Sequence, residues 1–162
     1  MSKLIEGEGL KDAFKGAMRR LASGVVVATV TTPEGPVGMA ATSITSLTFD
    51  PLAVLICVNQ TTSLHAHLSP GSPICINLLS RDQKDVSMAF GSPAAREVRF
   101  ATGEWGVDRH GSPMLEGAQF NLSCTIDSMT LYGTHSIVIA RVEAARLSEG
   151  TDPLIYVDGK YL

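Results

Sequence analysis

Alcohol side chains are concentrated in one short stretch of the sequence, between strongly apolar segments. Thr42, Ser43, Thr45, Ser46 and Thr48 fall within seven positions, and the apolar segments are residues 25–31 and 52–58. A stretch with many hydroxyls and few charges can surround a phosphate-bearing ligand with neutral hydrogen-bond donors. An ordinary polar connection between strands is the alternative, which composition alone favours. The rest of the chain must therefore decide between the two.

Two other positions could contribute to a ligand site. His135 follows Gly133 and opens an apolar strand candidate, which is typical of a pocket rim because the glycine lets a ligand approach closely. A strand-end histidine bonded to a backbone carbonyl is the alternative, which the residues alone favour. Arg81 and Lys84 lie at the start of a helix candidate, where backbone amides could bind an anion. The alternative, which the residues alone favour, is that Asp82 is an ordinary N-cap and the two cations lie on a solvated face.

Several common catalytic motifs are absent from the sequence. Neither Gly-x-Gly-x-x-Gly nor Gly-x-x-x-x-Gly-Lys-Ser/Thr occurs, which argues against Rossmann and P-loop nucleotide sites. There is no Gly-x-Ser-x-Gly elbow, and His135 and Ser136 would point in opposite directions on a strand, so hydrolase chemistry has little support. His65 and His67 would point to different faces of a helix with no third ligand nearby, so no metal site is predicted.

Length, composition and charge limit the class of protein. A chain of 162 residues predicts a single domain over residues 1–162, and 44% hydrophobic residues suffice for a sizeable core. A net charge of -3 argues against nucleic acid as a partner, and no apolar run approaches the roughly 18 residues of a membrane span. The N-terminus lacks a hydrophobic signal segment, and the three cysteines form no Cys-x-x-Cys pair. We therefore expect a cytoplasmic protein without nucleic-acid or membrane partners.

The pattern along the chain predicts a mainly β protein. Apolar residues at helical spacing from Leu10 to Leu21 predict an amphipathic helix that Gly24 would end. Strands are predicted at residues 25–31, 37–41, 52–58, 74–79, 119–129 and 135–147. A short helix is predicted to end near Leu68, and a second helix is predicted over residues 82–90. Residues 91–117 are expected to be irregular. The segments 25–31 and 52–58 are apolar on both faces, as in strands covered by a barrel interior and by a helix or second subunit. We predict six or seven mostly antiparallel strands in a small closed barrel with capping helices.

Short segments in a fixed order extend this pattern over nearly the whole chain. They are residues 23–27, 38–43 with Thr45 and Ser46, 50–52, 57–59 with Ser63, 76–79 with Gln83, Phe90, Arg99 and Phe100 with Trp105, 113–118, Cys124, 133–137, 153–156 and 159–161. This ordered set resembles the flavin reductase family, which has the FMN-binding split barrel and provides the reductase component of two-component flavin monooxygenases. The chain departs from the family pattern at Thr134, where an acid is frequent, and at Pro51, where two prolines are common.

The resemblance implies reduction of FMN or FAD by NADH or NADPH, with hydride passing from nicotinamide C4 to flavin N5. It also implies a homodimer with flavin near the subunit interface, and reduced flavin that diffuses to a flavin-dependent monooxygenase. The implied cofactor-binding residues are Ala40, Ala41, Thr42, Ser43, Thr45, Ser46, Asn59, Ser63, Asn77, Arg81, Gln83 and Phe90. Catalytic His135 would lie where the nicotinamide stacks.

Two alternatives remain open on the same barrel. One is a flavin-dependent reductase of another acceptor, such as a corrin cobalt or ferric iron. The other is a non-catalytic protein that binds flavin or haem. The hydride step needs no strong acid or base, so the lack of a catalytic triad is expected for a flavin reductase.

Overall fold

The computed structural model describes residues 4–92 and 98–162. Its helices are α1 (Leu10–Arg19) and α2 (Lys84–Gly91), and 3-10 turns cover His65–His67 and Arg81–Gln83. Strands β1 to β6 are Ser23–Gly24, Val26–Thr32, Gly35–Ala41, Ile44–Phe49, Leu52–Asn59 and Pro73–Leu78. Strands β7 to β12 are Trp105–Val107, Pro113–Leu115, Phe120–Tyr132, His135–Leu147, Ile155–Val157 and Lys160–Tyr161.

Seven strands form one antiparallel sheet in the order β3-β2-β6-β9-β10-β5-β4. Its two edge strands, β3 and β4, are separated in the chain by only Thr42 and Ser43. Three residue steps from Ala41 to Ile44 span at most roughly 11 Å, so the sheet must curl until its edges approach each other. The backbone N–H of Cys57 on β5 donates to the Ser43 carbonyl at 3.0 Å and fixes this link. The mainly antiparallel split barrel predicted from the sequence is confirmed.

Strand β2 is buried on both faces, as its composition predicts. Val26, Ala28 and Val30 belong to the apolar interior of the barrel. Val25, which precedes the strand, and Val27 belong to a second core outside the barrel. Because side chains alternate between faces along a strand, one apolar run supplies both cores.

The second core is closed by α2 and by the hairpin of β7 and β8. Val86, Ala89 and Phe90 of α2 are buried there together with Leu115 of β8. The Phe90 ring packs against two further aromatic rings, Phe100 at 5.0 Å and Trp105 at 5.4 Å between centroids. This packing fixes Phe90 at the C-terminal end of α2.

A small second sheet has the order β1-β11-β12. Ser23 pairs with Tyr156, and Tyr156 pairs with Tyr161 in the next strand. The backbone N–H of Val25 donates to Leu154 O at 3.0 Å, so the C-terminal segment is attached to the start of β2. As a result, two tyrosines from the end of the chain lie beside the barrel.

The seven strands of the main sheet agree with the six or seven predicted, whereas the short strands of the two smaller sheets in the described part of the chain were not predicted. Residues 91–117, expected to be irregular, contain β7 and β8, although positions 93–97 lie outside the described residues. Strands β11 and β12 were not predicted at all. These strands have only two or three residues each, and such short elements are held by distant pairing rather than by local pattern.

Helix α1 is shorter and less buried than its pattern predicts. It ends at Arg19, before Gly24, and none of its residues is buried. Its large apolar side chains are at least half exposed: Leu10 at 52%, Phe14 at 61% and Met18 at 50%. Across residues 4–92 and 98–162, no helix is both long and apolar enough to cross a membrane.

Candidate functional site

Three neighbouring cavities meet at Thr42, the residue that follows β3. We name them the tyrosine cavity, the barrel-mouth cavity and the helix groove, with volumes of about 190, 520 and 590 Å³. Ligand pockets in proteins usually have volumes of roughly 300–1,000 Å³. The joint space at Thr42 is therefore large enough for a ligand of nucleotide size.

Different elements form the walls of these cavities. The tyrosine cavity is lined by Val25, Ala40, Ala41, Thr42, Ser87, Gly91, Tyr156 and Tyr161. The helix groove is lined by Phe14, Lys15, Met18, Arg19, Leu21, Ser23, Thr42, Ser43 and Tyr156. The barrel-mouth cavity is lined by Ala22, Ser23, Gly24, Val26, Thr42, Ile44, Thr45, Ser46, Val54, Leu78, Phe120 and Leu122. Only methyl groups project from β3 at Ala40 and Ala41, so a flat ring can lie close to its backbone.

A fourth cavity, which we name the hydroxyl cavity, also borders Ala40. Its volume is about 190 Å³, and it is lined by Met39, Ala40, Thr61, Thr62, Ser63, Phe90, Gly91 and Arg99. The predicted residues Ser63 and Phe90 therefore lie together with Ala40. Thr61 and Thr62 donate their hydroxyl protons to Asn59 Oδ1 and Asn59 O, so they offer acceptor oxygens to a ligand. The Ser63 hydroxyl can donate to an anionic or sugar-like group, and the Arg99 guanidinium adds positive charge to the same cavity.

The alcohol-rich segment that follows β3, for which no strand was predicted, lies largely in a strand. Only Thr42 and Ser43 lie outside strands, because Thr45 and Ser46 belong to β4. Threonine and isoleucine favour a pleated, half-buried strand, which explains the difference. Ser43 Oγ donates to the Cys57 carbonyl at 2.9 Å, whereas Thr45 and Ser46 line the barrel-mouth cavity. Thr42 is exposed and contacts all three cavities that meet there.

His135 and Asn59 lie opposite each other on β10 and β5, on the outer face of the barrel. His135 is exposed, and its Nδ1 lies 2.9 Å from Thr134 Oγ1. Asn59 Oδ1 accepts hydrogen bonds from the backbone N–H and the hydroxyl of Thr61, both at 3.0 Å, so it shapes the loop that leads to the hydroxyl cavity. Neither residue lines the four cavities described above. The catalytic role of His135 stays a prediction.

Asn77 is a buried hydrogen-bond hub. Its amide donates to Val27 O at 3.0 Å, and its Oδ1 accepts from the Leu115 backbone N–H at 3.0 Å and from Asn121 Nδ2 at 2.7 Å. The side chain is 0% exposed. These contacts join β2, β8 and β9, so the structure gives Asn77 a use inside the protein. Contact with a flavin stays a prediction for this residue.

Arg81 and Gln83 are engaged in local contacts. Arg81 Nε donates to Asp152 Oδ1 at 2.7 Å. Gln83 forms a capping box with Ser80, and its Nε2 donates to Glu116 O at 2.8 Å. Neither side chain lines any of the four cavities. Their predicted proximity to a flavin phosphate stays untested.

His65, for which the sequence predicted no metal site, contacts a side chain of strand β10. His65 is half-buried, and its Nε2 lies 2.8 Å from Ser136 Oγ. Ser136 is itself buried, with 3% exposure, so this pair has no access for a substrate. The burial of the Ser136 hydroxyl argues against a nucleophile–base pair.

Among the residues that line the cavities without a role predicted from the sequence are Ser87, Arg99, Tyr156 and Tyr161. The last three belong to segments that carry the family resemblance, which was the available signal. Arg99 NH1 donates to Gly38 O at 2.9 Å and its Nε to Ala89 O at 3.3 Å, so it joins β3 to α2. No sequence signal pointed to Ser87, because its partner lies near the end of the chain.

The clearest pKa shifts occur away from these cavities. Hydrogen bonds from His110 and then Thr125 hold the pKa of Glu143 below its ordinary value. Burial, with a smaller effect of the Asp108 carboxylate, raises the pKa of the Cys75 and Cys124 thiols to about 12. Among the residues that the structure describes, no group of three or more His, Cys, Asp and Glu side chains is arranged to hold a metal ion.

A split barrel with an open, alcohol-lined space beside small residues is suited to a flat, phosphate-bearing cofactor. The family model described as "Flavin reductase like domain" matches residues 18–162. This chain belongs to the flavin reductase family.

Individual relatives agree with this membership. The chain is similar to "FMN reductase (NADH) RutF" from Stutzerimonas stutzeri strain A1501, with 33% identity over 94% of this chain and 87% of the relative. It is 34% identical to the protein of the same name from Agrobacterium fabrum strain C58, over 91% of this chain and 85% of the relative. The solved styrene monooxygenase flavin reductase (SMOB) from Pseudomonas putida S12 superposes with a TM-score of 0.82 at 29% identity, over 92% of this chain and 95% of that chain.

Proposed function

We propose that this protein is an NAD(P)H:flavin oxidoreductase that supplies reduced FMN or FAD to a partner monooxygenase. The observation that carries the proposal is the position of Thr42, where three cavities meet beside the small residues of β3 in a chain of this family. The flavin accepts a hydride at N5 from nicotinamide C4, so the cofactors supply the bond-making chemistry. The protein must bind both rings in a stacked geometry.

The residues of the site fit a flavin by their chemistry. Ala40 and Ala41 let the ring lie close to β3, and Thr42 provides a hydroxyl at its edge. In the hydroxyl cavity, Ser63 provides a neutral donor for the ribityl chain or phosphate, and Thr61 and Thr62 provide acceptor oxygens for the ribityl hydroxyls, because their own protons are donated to Asn59. Arg99 lines the same cavity and adds positive charge. This arrangement holds an anionic tail without burying it deeply.

His135 is proposed to contact the nicotinamide. Its exposed position on the outer face, opposite Asn59, leaves it accessible to a nucleotide that approaches from solvent. Hydride transfer needs no proton from His135, so its contribution is expected to be positioning. Loss of the imidazole should therefore raise the KM for the nucleotide more than the KM for the flavin.

The cavities at Thr42 are open and rich in neutral donors, which favours release of the reduced flavin as a diffusing product. One flavin reductase similar to this chain is named as the flavin reductase of styrene monooxygenase. By this analogy, we assign a flavin-dependent monooxygenase as the acceptor.

A homodimer is also proposed. The apolar residues of α1 are exposed, and so are Leu47 and Phe49 on β4. Leu55 on β5 and Ile137 on β10 are half-buried on the outer face of the barrel. Exposed apolar surface of this extent is typical of a protein interface. A second copy of the chain would cover it near the site at Thr42.

Steady-state kinetics test the activity. NADH or NADPH is mixed with the protein and with FMN, FAD, riboflavin or no flavin, and loss of reduced nucleotide absorbance is followed. We expect oxidation only when a flavin is present. Absence of flavin-dependent oxidation with either nucleotide would leave a flavin- or haem-binding protein. Turnover that needs bound flavin but ignores added flavin would point to another acceptor, such as a corrin cobalt or ferric iron.

A further inference from the structure

Two hydroxyl groups from distant parts of the chain meet in the wall of the tyrosine cavity. Ser87 Oγ on α2 lies 2.9 Å from the Tyr161 hydroxyl on β12. Ser87 is only 2% exposed, and it is a buried polar residue on the face of α2 that otherwise packs apolar side chains. A buried serine hydroxyl requires a hydrogen-bond partner, and Tyr161 supplies it.

The Tyr161 ring is held from several sides. Its centroid lies 5.1 Å from that of Tyr156, at an interplanar angle of 60°. The Lys84 ammonium lies 5.6 Å from the ring centroid, within the range of a cation–π contact. Pairing of β12 with β11 fixes the backbone of Tyr161. The hydroxyl is therefore preorganised rather than free to rotate away.

One of the two hydroxyl protons of the Ser87–Tyr161 pair is not used in the bond between them. Two hydroxyl groups carry two donor protons, and the bond between them consumes one. Over the part of the chain that the structure describes, neither hydroxyl makes a second hydrogen bond. Both residues line the tyrosine cavity. The remaining proton is therefore available to a ligand in that cavity.

The other walls of the tyrosine cavity are suited to a ring rather than to a phosphate. Val25, Ala40 and Ala41 contribute apolar side chains to its lining. A phosphate placed there would lose its hydration without gaining a full set of donors. A flat heteroaromatic ring buries apolar area and needs only a few hydrogen bonds at its edge.

We propose that the Ser87–Tyr161 pair binds the isoalloxazine ring of the flavin. Tyr161 donates a hydrogen bond to a ring carbonyl oxygen, and Ser87 orients Tyr161 by donating to its hydroxyl oxygen. This inference rests on the proposed function, because it takes a flavin as the ligand. It adds a ring-specific contact from the C-terminal sheet to the alcohols at Thr42 and Ser63.

The test compares ligands that share the ring and differ in the tail. Dissociation constants of lumiflavin, riboflavin, FMN and FAD are measured by flavin fluorescence for the wild type, Tyr161→Phe and Ser87→Ala. We expect Tyr161→Phe to weaken all four by the same factor, roughly fivefold, the size of one neutral hydrogen bond. Ser87→Ala should weaken them by a smaller common factor, about twofold. The KM for NADH should stay unchanged in both.

Tyr132→Phe is the matched control, because Tyr132 is 81% exposed and lies outside the four cavities. Near-ultraviolet circular dichroism of each variant reports whether the tyrosine and tryptophan packing persists. Wild-type affinity of Tyr161→Phe for all four ligands would overturn the proposal. So would a loss confined to FMN and FAD, or a rise in the KM for NADH alone.

These outcomes are distinct from failure of the proposed function. Binding is measured without turnover, so a protein that binds flavins but does not oxidise NADH would refute the reductase proposal and leave the ring contact testable by the same variants. Absence of binding of all four ligands to the wild type would refute the ring contact.

Discussion

A Cβ atom on Gly38 would lie 2.8 Å from Cε1 of Phe90. The same atom would lie 3.0 Å from the Ala28 carbonyl oxygen on the neighbouring strand. Distances below 3.0 Å are not tolerated by carbon atoms, so the ring of Phe90 can reach its position only because β3 carries no side chain at Gly38. Phe90 in turn forms part of the wall of the hydroxyl cavity.

Gly38→Ala is expected to displace Phe90 and to destabilise the protein by about 1–3 kcal/mol, the usual cost of overpacking a core. The affinity for FMN should fall as well, because the cavity wall moves. Urea unfolding and flavin titration measure the two effects. Gly16→Ala is the control: Gly16 lies in α1 with nothing within 4 Å of an added Cβ, so a neutral or slightly stabilising effect is expected. Equal stability of the two variants would contradict the packing argument.

Thr42→Val removes the hydroxyl at the meeting point of the cavities and keeps the β-branched shape. We expect the KM for FMN to rise roughly fivefold, as for loss of one hydrogen bond, with little change in kcat. Thr130→Val, at an exposed position on β9, should leave the kinetics unchanged. If both variants behaved like the wild type, Thr42 would have no part in flavin binding.

Asn77→Ala should be strongly destabilising. It leaves the Leu115 N–H and the Val27 carbonyl without their partners in the core, and each such loss costs roughly 1–3 kcal/mol. We expect the free energy of unfolding to fall by about 3 kcal/mol or more in urea. Gln60→Ala, which removes an exposed bond to Gly133 O, should cost less than about 1 kcal/mol. An unchanged urea midpoint for Asn77→Ala would show that the network contributes little.

The two buried thiols predict a loss of stability at alkaline pH. Their pKa is raised from 9.0 to about 12 in the folded protein, so the unfolded chain ionises first as the pH rises. The unfolded state then binds fewer protons, and the stabilising contribution, complete below pH 9.0, is lost as the pH rises towards 12. Cys124→Ala should show a shallower decline than the wild type when unfolding free energy is measured across this window. Parallel curves would refute the assignment.

Phe14→Ser should weaken the proposed homodimer, because it removes the largest exposed apolar side chain of α1. Light scattering coupled to size exclusion should show a shift towards monomer as the protein is diluted. Asp12 lies on the opposite side of α1, so Asp12→Ser should leave the molar mass of the assembly unchanged. A wild type that is monomeric at all concentrations would exclude this assembly.

The barrel could be predicted from the sequence because its evidence is local. The apolar run that includes β2 has side chains fit for burial on both faces. The burial of each position can therefore be predicted from the residue type alone. The pairing of Ser23 with Tyr156 depends on residues more than a hundred positions apart. No local pattern encodes such a contact, so the small sheet was missed.

The parts of the site that could be predicted are those formed by residues close together in the sequence. Ala40, Ala41 and Thr42 lie together in one wall because they are consecutive residues at the end of β3. Gln83 has a local purpose that its spacing from Ser80 already indicates, since Ser-x-x-Gln is a capping box. Ser87 and Tyr161 are brought together only by the folded chain, 74 positions apart.

Strand β3 is an edge of the seven-stranded sheet, so one side of its main chain is not paired within that sheet. Main-chain amides and carbonyls along an edge strand are available to a ligand whatever side chains the strand carries. Exchange among small residues at positions 40 and 41 would therefore preserve recognition. A one-residue insertion into β3 would move each following group to the opposite face and abolish recognition at once.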